Sequence, residues 1–193
     1  MSFANEQDDV QFSEPILAQK GVKMKVNFVE PTEWKDKTGT ATKPTKAIKL
    51  TLDIDDDSVR CEHADAKPKR TIEDQFNIEG HPYTDKKTGE VKKLGRSKLY
   101  QLEEAFGFEP VFLVNGSKVD PFITKSGAKR APKIEGVKRT LNPDFMDAYF
   151  DAEGNPKVDN WGGKTLYANV GVQMSEQFGN KNTIDAYVVA PVI

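Results

Sequence analysis

The chain has 193 residues, with 28 Lys and Arg against 30 Asp and Glu, for a formal charge of −2. That excludes a uniformly basic, histone-like protein, and 30% charged with 37% hydrophobic residues suits a domain with a polar surface and its own core. No apolar run approaches the ~20 residues of a membrane span, MSFANEQDDV lacks the pattern of a signal peptide, and the single cysteine, Cys61, forms no internal disulfide, so a reducing cytoplasm is expected.

Residues 1–20 show little periodicity and carry four acids ahead of their only base, Lys20. They read as an acidic flexible extension, and 21–193 as one domain. Val22, Met24, Val26 and Phe28 then alternate with Lys23, Lys25 and Asn27, the period of a half-buried strand, which Pro31 is expected to end. A loop over 32–44 carries Trp34, Lys35 and Lys37. Ile48, Leu50, Leu52 and Ile54 alternate with Lys49, Thr51 and Asp53, a second strand, closed by the acidic run of Asp55, Asp56 and Asp57. Residues 70–78 form a weaker third strand, with Asp74 interrupting the alternation of Ile72, Phe76 and Ile78. The polar stretch 79–96 holds hairpin-turn residues at 85–89.

Leu99, Leu102 and Phe106 recur at helical spacing, with Ser97 placed to cap and Gly107 placed to stop the helix. Residues 110–160 are rich in Pro, Gly and charge and read as a long, partly ordered loop insertion with a weakly helical patch near 144–150. Two strands finish the chain: Leu166, Ala168, Val170 and Val172 mark one, and Ile184, Ala186 and Val188 the other. Gly179-Asn180 supplies a tight turn between them. The expected fold is therefore mainly β: a five-stranded OB-type Greek-key barrel with one helix between strands three and four.

Enzymatic chemistry finds little to work with. Gly162-Gly163-Lys164-Thr165 resembles the end of a phosphate-binding loop, but Val158 stands where that motif needs glycine, and Lys164 opens a strand rather than a helix. The paired glycines read as a tight turn instead. Cys61, His63 and His81 lack the paired spacing of a zinc site, and neither a metal nor another cofactor is expected. The run 53–57 reads as a solvated turn; its nuclease alternative needs a divalent cation. No nucleophile elbow is present. The chain does not read as an enzyme.

Charge and aromatics suggest a binding surface. Residues 20–49 carry eight lysines against three acids, 67–100 nine bases against five, and 118–139 seven against two. With the apolar strand positions inside, Lys23, Lys25, Lys49, Tyr167 and Tyr187 face out. Trp34, Lys35 and Lys37 extend that surface through the first loop. Tyr83 with Lys86, Lys87, Lys92, Lys93 and Arg96 extends it through the 79–96 loop, and Phe122 with Lys125, Lys129 and Arg130 through the insertion. Rings stack on bases while lysines neutralise phosphates, so the expected ligand is single-stranded DNA.

The segments VKMKVNFVEP, KAIKLTLDID, SKLYQLEEAFGF and WGGKTLYANVGVQMSEQFGNKNTIDAYVVAP resemble phage-encoded single-stranded DNA-binding proteins of the OB fold. The likeness spans 22–54, 70–78, 97–107 and 161–191. It implies coating of single-stranded DNA, without sequence preference, during phage replication or recombination. It also implies partnership with a polymerase, helicase or recombinase, and it leaves self-association open. The chain departs from many such proteins in keeping its acids at 1–19 and ending in the apolar AYVVAPVI. The insertion is expected to serve as a DNA-clamping loop or a self-association element. The competing reading is a structural phage component, a tail or decoration protein, which would not require lysines and tyrosines on the outer strand face.

Overall fold

The computed structural model describes residues 13–34, 44–79, 81–84, 88–94, 97–125, 127–174 and 179–190. It is mainly β. Five strands make the principal sheet: β1 (Gln19–Trp34), β2 (Thr45–Ile54), β3 (Thr71–Asn77), β4 (Thr165–Gln173) and β5 (Lys181–Val188). Their order is β5-β4-β1-β2-β3, antiparallel throughout. Helix α1 (Ser97–Ala105) lies between the third and fourth strands in sequence. Gly107 ends it in the left-handed region at φ 85°, where Phe108 N–H reaches Glu103 O at 3.0 Å.

The expected barrel closure is not made by a ladder: among the described residues no strand pairing joins β3 to β5. Side chains and α1 span the gap at one end. Tyr187 Oη donates to Asp74 Oδ2 at 2.8 Å, and the Phe76 and Tyr187 rings meet edge-on at 6.1 Å. Gln101 of α1 accepts the Tyr187 N–H at 3.1 Å, occupying a donor that a closing ladder would have used. Lys98 of α1 bonds Asp74 Oδ1 at 2.5 Å.

Two bulges change which side chains face inward. Val26 pairs with Leu52 but Phe28 with Thr51, so Asn27 is the extra residue. The alternation flips there: Phe28, expected inside, is 47% exposed, and Val29 is buried in its place. On β5 the register slips between the pairs Asn169 with Ala186 and Val170 with Ile184, leaving Asp185 extra. Ile184 and Tyr187 therefore both face inward, and Tyr187, expected outside, is buried. β1 also continues past Pro31, which pairs with Ile48. The β4 ladder stops at Lys25, so Pro31 sits where β1 is an edge and its missing N–H leaves no gap.

The extension and the insertion are both more structured than their composition suggests. Ser13–Glu14 pairs with Lys67–Pro68, and Ile16 is fully buried. Residues 13–20 are thus docked; 1–12 lie outside the described residues. Within 110–160, Val111–Val114, Ser117–Val119 and Lys138–Thr140 form a three-stranded sheet. Asn115 and Gly116, at φ 49° and 82°, make its tight turn. The expected helical patch is α2 (Pro143–Tyr149), capped by Asn142 accepting from Asp144 N–H at 2.9 Å. Trp161, in the short helix α3 (Val158–Trp161), is fully buried and donates Nε1–H to Tyr149 O at 3.0 Å. Phe106, Tyr149 and Phe150 meet its ring, Phe108 and Phe145 pack against those in turn, and Phe106 stacks on Tyr149 at 4.9 Å. Such ring pairs contribute about 0.5–1.5 kcal/mol each beyond their buried area.

One buried carboxylate ties the insertion to α1. Glu103 is fully buried; it accepts from Asn142 N–H at 2.6 Å and from Arg139 at 3.2 Å. Burial raises its pKa, and the Asn142 and Arg139 bonds pull the other way. Arg139 also lies over the Tyr100 ring at 4.4 Å. Glu103→Ala leaves Asn142 N–H without its acceptor and Arg139 with Glu104 as its one carboxylate, so a loss of about 2 kcal/mol is expected. A urea titration followed by tryptophan emission measures it.

Candidate nucleic-acid interface

The outward strand lysines are matched by carboxylates. Lys23 and Lys25 both reach Asp55, at 3.0 and 3.3 Å. Lys49 pairs with Glu30 and lies 3.8 Å from Glu73. The bonds to the two lysines hold Asp55 below the ordinary carboxylate range, and its bond to Asp55 raises Lys23. The acidic run expected to be a solvated turn therefore partners this face. Asp56 closes the turn on Ser58 N–H at 2.9 Å, and Asp57 pairs with Arg70 at 3.5 Å. Exposed pairs of this kind are worth about 0–1 kcal/mol and yield to salt or to a competing polyanion.

Tyr167 is half-buried and sits opposite Lys23 across the β4–β1 ladder. Phe28, on β1 beyond Lys25, adds an exposed ring to the strand that carries both lysines. It is an aromatic that the period-2 pattern hid. Phe122 and Arg130 are paired across a separate hairpin, with Lys125 exposed in its turn and Lys129 bonded to Glu109. Tyr187 faces the interior, and burial followed by the neighbouring Asp74 raises its hydroxyl pKa well above 10.0; it is not a surface ligand. Lys35, Lys37, Lys86, Lys87 and Arg96 lie outside the described residues. The backbones of Trp34, Tyr83, Lys92 and Lys93 are in strands, and their side chains lie outside the described residues.

A concavity lies along the unclosed seam of the sheet. A groove of about 680 Å³ runs between β3 and β5, lined by Lys69, Thr71, Ile72, Glu73, Asp74 and Gln75 on one side. Lys181, Asn182, Thr183 and Ile184 line the other, with Lys49 and Lys98 at its margins. Four lysines thus face two carboxylates. Asp74 is committed to Tyr187 and Lys98. Among the described residues, Lys69 and Lys181 have no acidic partner. Lys69, Lys98 and Lys181 escaped the sequence reading because they are far apart in the chain. The one available cue was Lys181, placed directly after the Gly179-Asn180 turn.

The groove is bordered by the docked N-terminal segment. Asn182 bonds both Ile16 N–H and Ile16 O at 2.8 Å, and Lys69 N–H donates to Glu14 O at 2.7 Å. His63 Nδ1 lies 2.8 Å from Glu14 Oε1. Cys61 Sγ is 3.8 Å from Glu14 O, and burial, then Glu14, raises its pKa. No cluster of three metal-ligating side chains occurs among the described residues. No helix there is long and apolar enough to cross a membrane. No protein-family model, curated protein or solved structure matches the chain.

Two measurements test this electrostatic picture. Asp55→Asn frees Lys23 and Lys25, so affinity for a polyanion such as heparin at low salt should rise by about two- to fivefold. Unchanged affinity would show that the two lysines are not restrained by Asp55. Glu14 raises His63 above its ordinary 6.5. The raised folded pKa makes the contact's stabilisation fully present below 6.5 and lost as pH rises through the folded value. A proton NMR titration should return His63 to its ordinary range in Glu14→Gln.

Proposed function

We propose that the chain is a non-enzymatic single-stranded DNA-binding protein built on an OB-type, partly open barrel. The sheet order β5-β4-β1-β2-β3 and the helix between the third and fourth strands support that fold reading. The observation that carries the function is the groove between β3 and β5, where Lys69 and Lys181 stand without an acidic partner among the described residues. OB folds bind oligonucleotides on the face of their second and third strands, next to the loop joining strands four and five.

Lysines act here as point charges for phosphates and read no bases, so binding is without sequence preference. Ile72 and Ile184 lie buried beneath it, and Thr71, Gln75 and Thr183 offer hydrogen bonds to sugar and phosphate. A duplex is stiff and broad, whereas one strand follows a narrow seam. The resemblance to phage-encoded single-stranded DNA-binding proteins supports a place in phage replication or recombination, alongside a polymerase, helicase or recombinase in the host cytoplasm.

Fluorescence anisotropy with labelled oligo-dT and a duplex of equal length, at two salt concentrations, tests the reading. Tight single-strand binding, weak duplex binding and a clear salt slope are expected. Lys69→Glu with Lys181→Glu should cost at least about tenfold at low salt and flatten that slope. Absence of binding to either nucleic acid at low salt would overturn the proposal and bring the structural-component reading forward.

A further inference from the structure

The hairpin over 122–130 contributes nothing to the groove and has its own chemistry. Phe122–Ile123 pairs with Lys129–Arg130, two residues on each strand. Adjacent strand residues point to opposite sides, yet Phe122 is 56% exposed and Ile123 60%. Both faces of the ribbon thus present large apolar side chains to water. The turn is nonetheless specified: Thr124 N–H donates to Ala128 O at 2.9 Å, and the Thr124 hydroxyl accepts from Ala128 N–H at 3.0 Å. Gly127 takes φ 80°, a conformation suited to glycine. Lys129 bonds Glu109 and fixes the base of the ribbon.

Its charge is one-sided. Residues 118–133 contain Lys118, Lys125, Lys129, Arg130 and Lys133 against Asp120. Only Lys129 among these bases has an acidic partner among the described residues. A two-stranded ribbon gains little stability from its own packing, so the exposed ring is not explained by folding. The occupant that complements it is flat and apolar where it meets the ring and anionic on either side. An unpaired nucleic-acid strand has that pattern, with base faces between phosphates.

We propose that this ribbon is a second contact for the single strand, in which Phe122 stacks on a base while Lys125 and Arg130 take flanking phosphates. The proposal rests on the single-strand reading above and extends it to a part of the chain outside the groove. Its consequence is a dependence on strand length, because a short oligonucleotide fills the groove alone.

The test uses the full chain, with Phe122→Ala and Lys125→Glu titrated against oligo-dT of about 8 and about 40 nucleotides. Each variant should bind the long oligomer about tenfold more weakly and the short one within about twofold of wild type. F122W should gain an emission that the long oligomer quenches, a readout that survives if the alanine variant folds poorly. Unchanged long-oligomer affinity with unquenched F122W emission overturns the ribbon contact while leaving the groove reading intact. So does a sedimentation shift from dimer to monomer in F122A, which assigns the patch to a second copy of the chain. A wild-type chain that binds neither oligomer overturns both.

Discussion

Asp74 is the constraint on which the approach of the two edge strands, β3 and β5, depends. A carboxylate on the inward side of a strand is costly unless its lone pairs are met. Here Tyr187 meets it from β5 and Lys98 from α1. Three elements distant in sequence are thereby drawn to one point. The bulge at Asp185 makes this geometry available, because without the extra residue Tyr187 would face solvent. The seam is sealed where these groups meet and stays open beyond them, from Ile184 back to Lys181. The polar residue that breaks the third strand's hydrophobic pattern is therefore what determines where a groove remains.

The strand pattern was legible because burial on one face of a sheet imposes a period of two. Val22, Met24, Val26, Leu50, Leu52, Leu166 and Ala168 all face inward as their spacing implies. The bulges were not legible. An extra residue needs only a polar side chain able to face water, and nothing distinguishes Asn27 or Asp185 from their neighbours in that respect. The error was correlated: each bulge flipped the residues beyond it, moving Phe28 out and Tyr187 in. Pro31 misled for a related reason. Proline ends a central strand, but β1 is central only as far as its pairing with β4. The insertion was underread because its core is aromatic and spread over short elements, so no window shows a clean period.

The candidate site was half legible for an electrostatic reason. Composition shows where lysines cluster in sequence and not which acids the fold sets against them. Asp55 belongs to an acidic block, and Lys23 and Lys25 to a basic one, yet folding makes them one pair of bridges. The blocks cancel across the β1 face. Of the four lysines lining the groove, the two without matching acids among the described residues, Lys69 and Lys181, come from opposite sides of the open seam. Along this seam, excess charge is left where the strand ladder does not close.

Helix α1 links these features. One side of it supplies Lys98 and Gln101 to the sealed end of the seam. The other supplies Tyr100, Glu103 and Glu104 to Arg139 and Asn142 of the insertion. Asn142 in turn donates to Glu109 O at 2.9 Å, and Glu109 holds Lys129 at the base of the exposed ribbon. A continuous series of charged and hydrogen-bonded contacts thus runs from the edge of the groove to the ribbon. Its central member, Glu103, is a buried anion that tolerates no vacancy among its partners. The insertion is consequently held by the same helix that fixes the end of the groove, so the two cationic surfaces have a common anchor.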